Sequence, residues 1–391
     1  MNNSQHLHRI LITTGIFPPD IGGPASYSKV LAEKISAGIP VCLITYSSVR
    51  SSPNDKSLPY PVIRVWKKIP RFLRHAIFFQ KVFSNARKAD IIFALNLVSA
   101  GVPSLVAAKM FKKKLFVKVV GDYAWEIAVN NGKTSFLIND FQDSAKRGWI
   151  KILHRFQVWV CKNADGIIVP SEYLKKIVSG WGIAPEKIKV IYNEVDFKSS
   201  ELTKEEARKK IAIPGSLIVS IGRLVPWKGF RLLIKVMPDL LRTNQYFRLI
   251  IIGDGPERKN LEAMVRNMGL EKKVYIVGKK SQEDIAVYLA ASDMFVLNTG
   301  YEGFSHQILE VMSAGVPVVT TSVGGNKEIM HQGENGFMIR YNDQFNLIEA
   351  IKGLWASPEL REKFIEGGKR TAGLFSVDSM YEDTIEFLAK S

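Results

Sequence analysis

Two doubly wound α/β domains are the fold class this sequence predicts, and three observations predict it. Short runs of β-branched and apolar residues alternate with helical stretches from residue 10 onward. The alternation stops at a polar, charged segment, 196–214 (DFKSSELTKEEARKKIAIP), and then restarts. The chain has 391 residues, enough for two domains of ordinary size.

In the first half, strands are expected at 10–14, 41–46, 63–65, 91–95, 115–120 and 166–169. Each is a continuous apolar run of the kind buried on both faces of a parallel sheet. Helices are expected at 25–37, 102–111 and 148–162. In the second half, strands are expected at 217–221, 247–252, 274–277, 294–298, 317–321 and 336–339. Helices are expected at 230–242, 257–268, 282–291 and 308–314, and residues from 347 onward read as helical. Strand–helix alternation gives parallel sheets covered by helices. Two such domains facing each other put a cleft at the carboxyl ends of both sheets, where ligands bind.

Composition narrows the class. With 46% hydrophobic and 23% charged residues, global disorder is excluded. Two cysteines, Cys42 and Cys161, exclude a Cys-rich metal site and argue against a disulfide framework. No basic stretch leads into a long apolar run, and no window approaches 18 uncharged apolar residues, so neither a signal peptide nor a membrane span is expected. The formal net charge is +17. Residues 60–160 hold 18 Lys and Arg against five acids, a balance of +13. This region is either a surface for an anionic partner or a solvated basic face. Within it, Phe72, Phe79 and Phe83 recur at helical spacing among Arg71, Arg74 and Lys81. Such a helix either lies in a bilayer interface or faces a core. Nucleic acid fits less well, because no nucleic-acid module is recognisable.

Three clusters carry chemistry. Gly222-Arg223-Leu224-Val225-Pro226-Trp227-Lys228-Gly229 follows a strand; Arg223 offers a planar fork and Lys228 a point charge, a set suited to a diphosphate. Gly222 and Gly229 permit close backbone approach. The bland alternative is a surface loop with incidental charges. Gly253-Asp254-Gly255-Pro256 lacks the full phosphate-loop pattern and reads as a structural turn. In Glu302-Gly303-Phe304-Ser305-His306-Gln307-Ile308-Leu309-Glu310, Glu302 is expected in a loop and Glu310 within a helix. The amides of Gly303 to Ser305 would then mark a helix N-terminus, an anion site. The alternative makes both glutamates ordinary surface acids.

The order of these clusters, followed by Gly315-Val316-Pro317-Val318-Val319, resembles the donor domain of glycosyltransferase family 4, which has the GT-B fold. The E-x7-E signature stands as Glu302 and Glu310, and the surrounding string SDMFVLNTGYEGFSHQILEVMSAGVPVVTTSVGGNKEIM is similar nearly throughout. The resemblance runs from about residue 10 to 375 and is looser in the first half. There, Gly22-Gly23 resembles the family's glycine loop, whose amides meet donor diphosphate and acceptor. Val169-Pro170-Ser171-Glu172 and Ile191-Tyr192-Asn193 resemble further family segments. Two departures stand out. Asn193-Glu194 replaces the usual Asn-Gly. Where many relatives carry a His, the string is Gly121-Asp122-Tyr123-Ala124-Trp125-Glu126, so Asp122 becomes the candidate polar group facing the reacting carbon, or else it caps a loop.

The resemblance implies transfer of a sugar from a nucleotide-sugar donor with retention of configuration. Arg223, Lys228 and the amides near Gly303–Ser305 would stabilise the leaving diphosphate. Glu302 would hold the sugar hydroxyls and Glu310 the ribose. Gly222, Val277, Gly278, Lys279, Phe304 and His306 would complete the donor site, with 277–279 lining the base pocket. No Asp-x-Asp pair stands where a divalent cation would be needed, so neither metal nor cofactor is expected. The implied domains are an acceptor-side domain at 1–195, on which helix 376–391 packs back, and a donor domain at 196–375. The implied acceptor is a glycan or lipid-linked molecule of cell-envelope synthesis. It would be met in the cytoplasm or at the inner face of the cytoplasmic membrane, with region 60–160 on the bilayer and no nucleic acid bound. Two rivals remain. A nucleotide-sugar epimerase of the same fold would need an acid/base set not seen here. A non-catalytic binder of anionic surfaces would not need Arg223, Lys228, Glu302 and Glu310 together.

Overall fold

The computed structural model describes residues 9–20 and 22–390. The chain forms two compact units. One holds the described residues up to Ala128, Ile138–Glu194 and the segment from Val377; the other holds Val129–Leu137 and Val195–Ser376. Residues 129–137, placed by the sequence in the first domain, thus group with the second, where the Leu137 side chain lies against Gly300.

The first unit is built on seven parallel strands: β1 (Ile10–Thr14), β2 (Val41–Ser47), β3 (Val62–Trp66), β4 (Ile91–Ala94), β5 (Lys114–Lys118), β6 (Gly166–Val169) and β7 (Ile188–Val190). Their order is β3-β2-β1-β4-β5-β6-β7. Strand alternation divides the apolar residues between two cores. Leu11, Ile92 and Val117 face the helices Arg71–Ala86, Gly101–Phe111 and Gly148–Asn163. Ile10, Ile12 and Phe93 face the other side, where Met380, Ile385 and Leu388 of the last helix, Val377–Lys390, join them. β7 was not expected, because Lys189 interrupts so short an apolar run. β5 stops at Lys118 rather than residue 120.

The second unit repeats the plan with β8 (Ser216–Ile221), β9 (Phe247–Ile252), β10 (Val274–Gly278), β11 (Met294–Leu297), β12 (Val318–Thr321) and β13 (Gly336–Ile339), in the order β10-β9-β8-β11-β12-β13. Both sheets therefore reverse direction of winding beside their first strand, at β1/β4 and at β8/β11. In open α/β sheets ligands bind outside the carboxyl ends of the strands at this switch point. The single helix expected over 230–242 is two, Phe230–Lys235 and Met237–Thr243, because Pro238 has no N–H to continue the first. Segment 196–214 is a capped helix, Lys204–Ile211. Thr203 and Glu206 form its capping box, and it packs on helix Gln282–Ala291.

Candidate active site

The loops at the carboxyl ends of β8, β9 and β10 are fastened to one another through glycines. The Gly253 amide donates to the Gly278 carbonyl at 2.9 Å, and Leu224 donates to Asp254 at 3.0 Å. A Cβ on Gly253 would lie 1.9 Å from the Gly222 carbonyl oxygen, and one on Gly255 2.4 Å from that of Leu224. Backbone meets backbone here, so 253–255 is the structural turn the sequence suggested.

The loop after β8 is clamped in turn onto the loop after β11. Residues Pro226–Lys228 make a 3-10 turn that ends at Gly229 with φ of +62°. A side chain there would strike the Asn298 carbonyl at 1.9 Å. Asn298 Nδ2 donates to the Gly229 carbonyl at 3.3 Å, and the Gly300 amide to that of Trp227 at 2.6 Å. This clamp carries Lys228 to Glu302: Nζ lies 2.5 Å from Oε1, with the two side chains 12% and 11% exposed. Two residues widely separated in sequence thus form one ion pair at the switch point. Arg223, five residues before Lys228 on the same loop, is exposed, and no described residue pairs with its guanidinium.

The Glu302 loop is pinned from behind. Its carbonyl accepts from the Gly325 amide at 3.0 Å, and a Cβ on Gly325 would lie 2.3 Å from the Gly303 carbonyl. Ser305 then caps helix His306–Ser313, its hydroxyl accepting from the Ile308 amide. Glu302 is in the loop and Glu310, half-buried, is within the helix. His306 is the first helical residue.

The other sequence candidates take the following places. The Phe304 side chain is buried in the core and meets Phe375 edge-on at 5.4 Å. Asp122 is fully buried, and its carboxylate accepts from the Trp125 amide (3.1 Å), Gln142 Nε2 (3.0 Å) and Gln157 Nε2 (2.8 Å). The bond from the Trp125 amide is the loop cap offered as the alternative for this residue. Val277, Gly278 and Lys279 end β10, the edge strand; Gly278 has φ of +75° and lies beside the Arg258 guanidinium. Gly22 and Gly23 open the helix Gly23–Ser36 after β1, with the Gly22 carbonyl accepting from Ala25 at 2.8 Å.

Asn298, Thr299 and Gly325 were not singled out from the sequence. Asn298 and Thr299 are polar residues at the buried end of a strand, which is the signal that could have marked them.

Two units of this strand order, with a cation–carboxylate pair at the second switch point, define the GT-B class of glycosyltransferases. The model for glycosyltransferase family 4 matches residues 21–199, and that for glycosyl transferases group 1 matches residues 203–371. An uncharacterized glycosyltransferase of Methanocaldococcus jannaschii is 30% identical over 370 residues, covering 94% of each chain. The N-acetylgalactosamine-N,N'-diacetylbacillosaminyl-diphospho-undecaprenol 4-alpha-N-acetylgalactosaminyltransferase of Campylobacter jejuni is 24% identical over 365 residues, 92% of this chain and 90% of that protein. Among solved structures, Anabaena HepE in complex with UDP and glucose superposes with a TM-score of 0.81 at 22% identity, covering 99% of this chain and all of that one. The chain belongs to glycosyltransferase family 4 and has the GT-B fold.

Proposed function

We propose that this enzyme transfers a sugar, with retention of anomeric configuration and without a metal ion, from a nucleoside-diphosphate sugar to a lipid-linked or glycan acceptor of the cell envelope. The observation that carries the reading is the Lys228–Glu302 pair at the β8/β11 switch point, with Arg223 exposed on the same loop. As the glycosidic bond breaks, negative charge collects on the leaving diphosphate. Fixed cations there stabilise the transition state more than the ground state. Lys228 and Arg223 fill that role, assisted by the N-terminus of helix His306–Ser313. Glu302 orients Lys228 and accepts from the sugar hydroxyls; Glu310 accepts from the ribose. With the diphosphate itself taking the proton of the incoming hydroxyl, no protein base is required, in keeping with an Asp122 enclosed by donors. The C. jejuni relative, named for a diphospho-undecaprenol substrate, supports a lipid-linked acceptor. The net charge of region 60–160 supports contact with an anionic membrane surface from outside it. No helix of the described residues is long and apolar enough to cross a membrane.

The test is a thermal-shift screen of nucleotide sugars. A ligand at about 100 times its Kd stabilises by about 2.7 kcal/mol. A shifting donor is then incubated with acceptor in chelator, and the anomer of the product is read by NMR. Transfer with retention is expected. Conversion of the donor without acceptor would instead favour an epimerase, and absence of any nucleoside diphosphate binding would sink the enzyme reading.

A further inference from the structure

The sequence offered one basic aromatic helix, Arg71–Ala86, with either a membrane or a core as its partner. The structure sets two more beside it. Helix Arg71–Ala86 packs against Gly101–Phe111, which packs against Gly148–Asn163, all on one side of the first sheet. Together these three helices carry Lys or Arg at seven positions (71, 74, 81, 109, 151, 155 and 162) and no Asp or Glu. For comparison, other cations of the basic region are consumed internally. Arg64, with its side chain 2% exposed, is paired to Asp55, Lys67 is paired to Asp20, and Lys118 is buried.

The same three helices expose large apolar side chains. Phe72 is 83% exposed, Met110 62% and Trp149 57%; Leu73, Phe79, Ile152, Phe156 and Trp159 are also exposed. Ring contacts link them across the helices. Phe79 stacks on Phe83, Phe83 meets Phe111 at 4.6 Å, Lys109 Nζ lies 5.8 Å above Trp159, and Trp159 meets Phe156 edge-on. At its Gly148–Asn163 end this strip borders a cavity of about 720 Å³, lined in part by Arg155, Lys162 and Lys176 against one acid, Asp143, and by Trp159 and Trp181.

We propose that this three-helix face is where the enzyme seats itself on an anionic lipid bilayer. The proposal deepens the membrane contact offered above and rests on it. Tryptophan and phenylalanine sit at the acyl–headgroup boundary, and lysine and arginine stems reach from there to lipid phosphates. The cavity, with cations at its rim and indoles in its wall, suits an anionic headgroup. Charge complementarity selects this occupant: the three helices carry cations and no acid, so they repel basic proteins and attract a negative leaflet. Leu73, Met110 and Ile152 give insertion area that stacked bases would not use, so a bilayer fits better than nucleic acid.

The test is cosedimentation of the whole protein with vesicles of equimolar phosphatidylglycerol and phosphatidylcholine, and with phosphatidylcholine alone. Wild type is expected to bind the anionic vesicles at least about tenfold more tightly, with affinity falling as salt rises. Arg71→Glu/Lys151→Glu is expected to lose about tenfold or more of that affinity, and Phe72→Ser/Trp149→Ser to lose a comparable share at high salt. All four residues are exposed, so thermal midpoints should not move. Equal binding to both vesicle types, unchanged binding by both variants, or displacement of the vesicles by single-stranded RNA would each overturn the proposal. UDP binding measured on the same variants separates the outcomes. If it persists while vesicle binding is absent in wild type, the docking surface fails and the transferase reading stands.

Discussion

Lys118 at the end of β5 and Lys228 after β8 each stand beside a glutamate, Glu194 and Glu302. Lys118 is sealed: 1% exposed, its Nζ donates to Asn193 Oδ1 at 2.7 Å and lies 3.4 Å over the ring of Tyr27. Burial pushes its ammonium down to about 7 against the opposing pull of the Glu194 carboxylate. Lys228 and Glu302 keep about a tenth of their surface in contact with solvent at the mouth of a switch point. Both lysines follow strands of doubly wound sheets and both are partnered, so charge pairing alone does not mark a site. Accessibility does. The first lysine is enclosed in the framework of its unit, whereas the second pair stands at the mouth of the switch point. Glu194, standing where Asn-Gly is usual, opposes the effect of burial on the Lys118 ammonium.

The sharpest way to break this comparison is at the sealed pair. Below pH 7, where Lys118 carries its charge, Lys118→Met leaves the Glu194 carboxylate buried without its cation, an arrangement that costs about 3–5 kcal/mol. A fall of roughly 10 °C in the thermal midpoint is expected, with UDP affinity unchanged. The double variant Lys118→Met/Glu194→Gln should recover most of the loss; if it does not, the two residues are not coupled. At the open pair the expectation reverses. Lys228→Met should leave the thermal midpoint within a few degrees of wild type but lower kcat about 10²–10³-fold, as for removal of one group stabilising a developing anion. Wild-type turnover in that variant would remove Lys228 from the reacting set.

Arg223→Ala sharpens the assignment of the exposed cation. Loss of a charge-assisted bond to the donor diphosphate should raise the donor KM about 10- to 100-fold. Unfolding in denaturant should move by less than about 0.5 kcal/mol, because the residue is exposed. The pH slope sharpens the comparison at the sealed lysine. Because the folded protein holds Lys118 near 7 while the unfolded chain titrates it near 10.5, the unfolded state binds the extra proton between those values. Stability should therefore rise as pH increases from about 7 to 10, by at most about 1.4 kcal/mol per unit. Above that range, the buried Tyr27 hydroxyl, held well above its usual value by burial, turns the slope downward. Urea unfolding at several pH values measures this, and Lys118→Met should abolish the rise.

Much of this was legible in order along the chain. Apolar runs located twelve of the thirteen strands, since a strand covered on both faces must be apolar throughout. The spacing of Glu302 and Glu310 would have let both share one helix face; the expectation of Glu302 in the loop and Glu310 in the helix matches the structure. One misreading has a local cause: Pro238 split a helix. The second and third helices of the basic aromatic face were legible as helices. That they lie beside the first was not, because adjacency across a sheet follows strand order, which apolar pattern does not encode.

By itself, then, the sequence determined two doubly wound domains, the loops bearing Arg223, Lys228 and Glu302, and a concentration of positive charge in the first domain. Only the tertiary structure decided which charges are spent inside and which remain for ligands. It buried Lys118, Arg64 and Asp122, joined Lys228 to Glu302 through the clamp of Gly229 on Asn298, and gathered exposed aromatic and cationic side chains from three helices onto one face. The physical reason is that composition and periodicity record what a residue is and how often it recurs, whereas burial and pairing depend on neighbours that the chain brings in from far along its length.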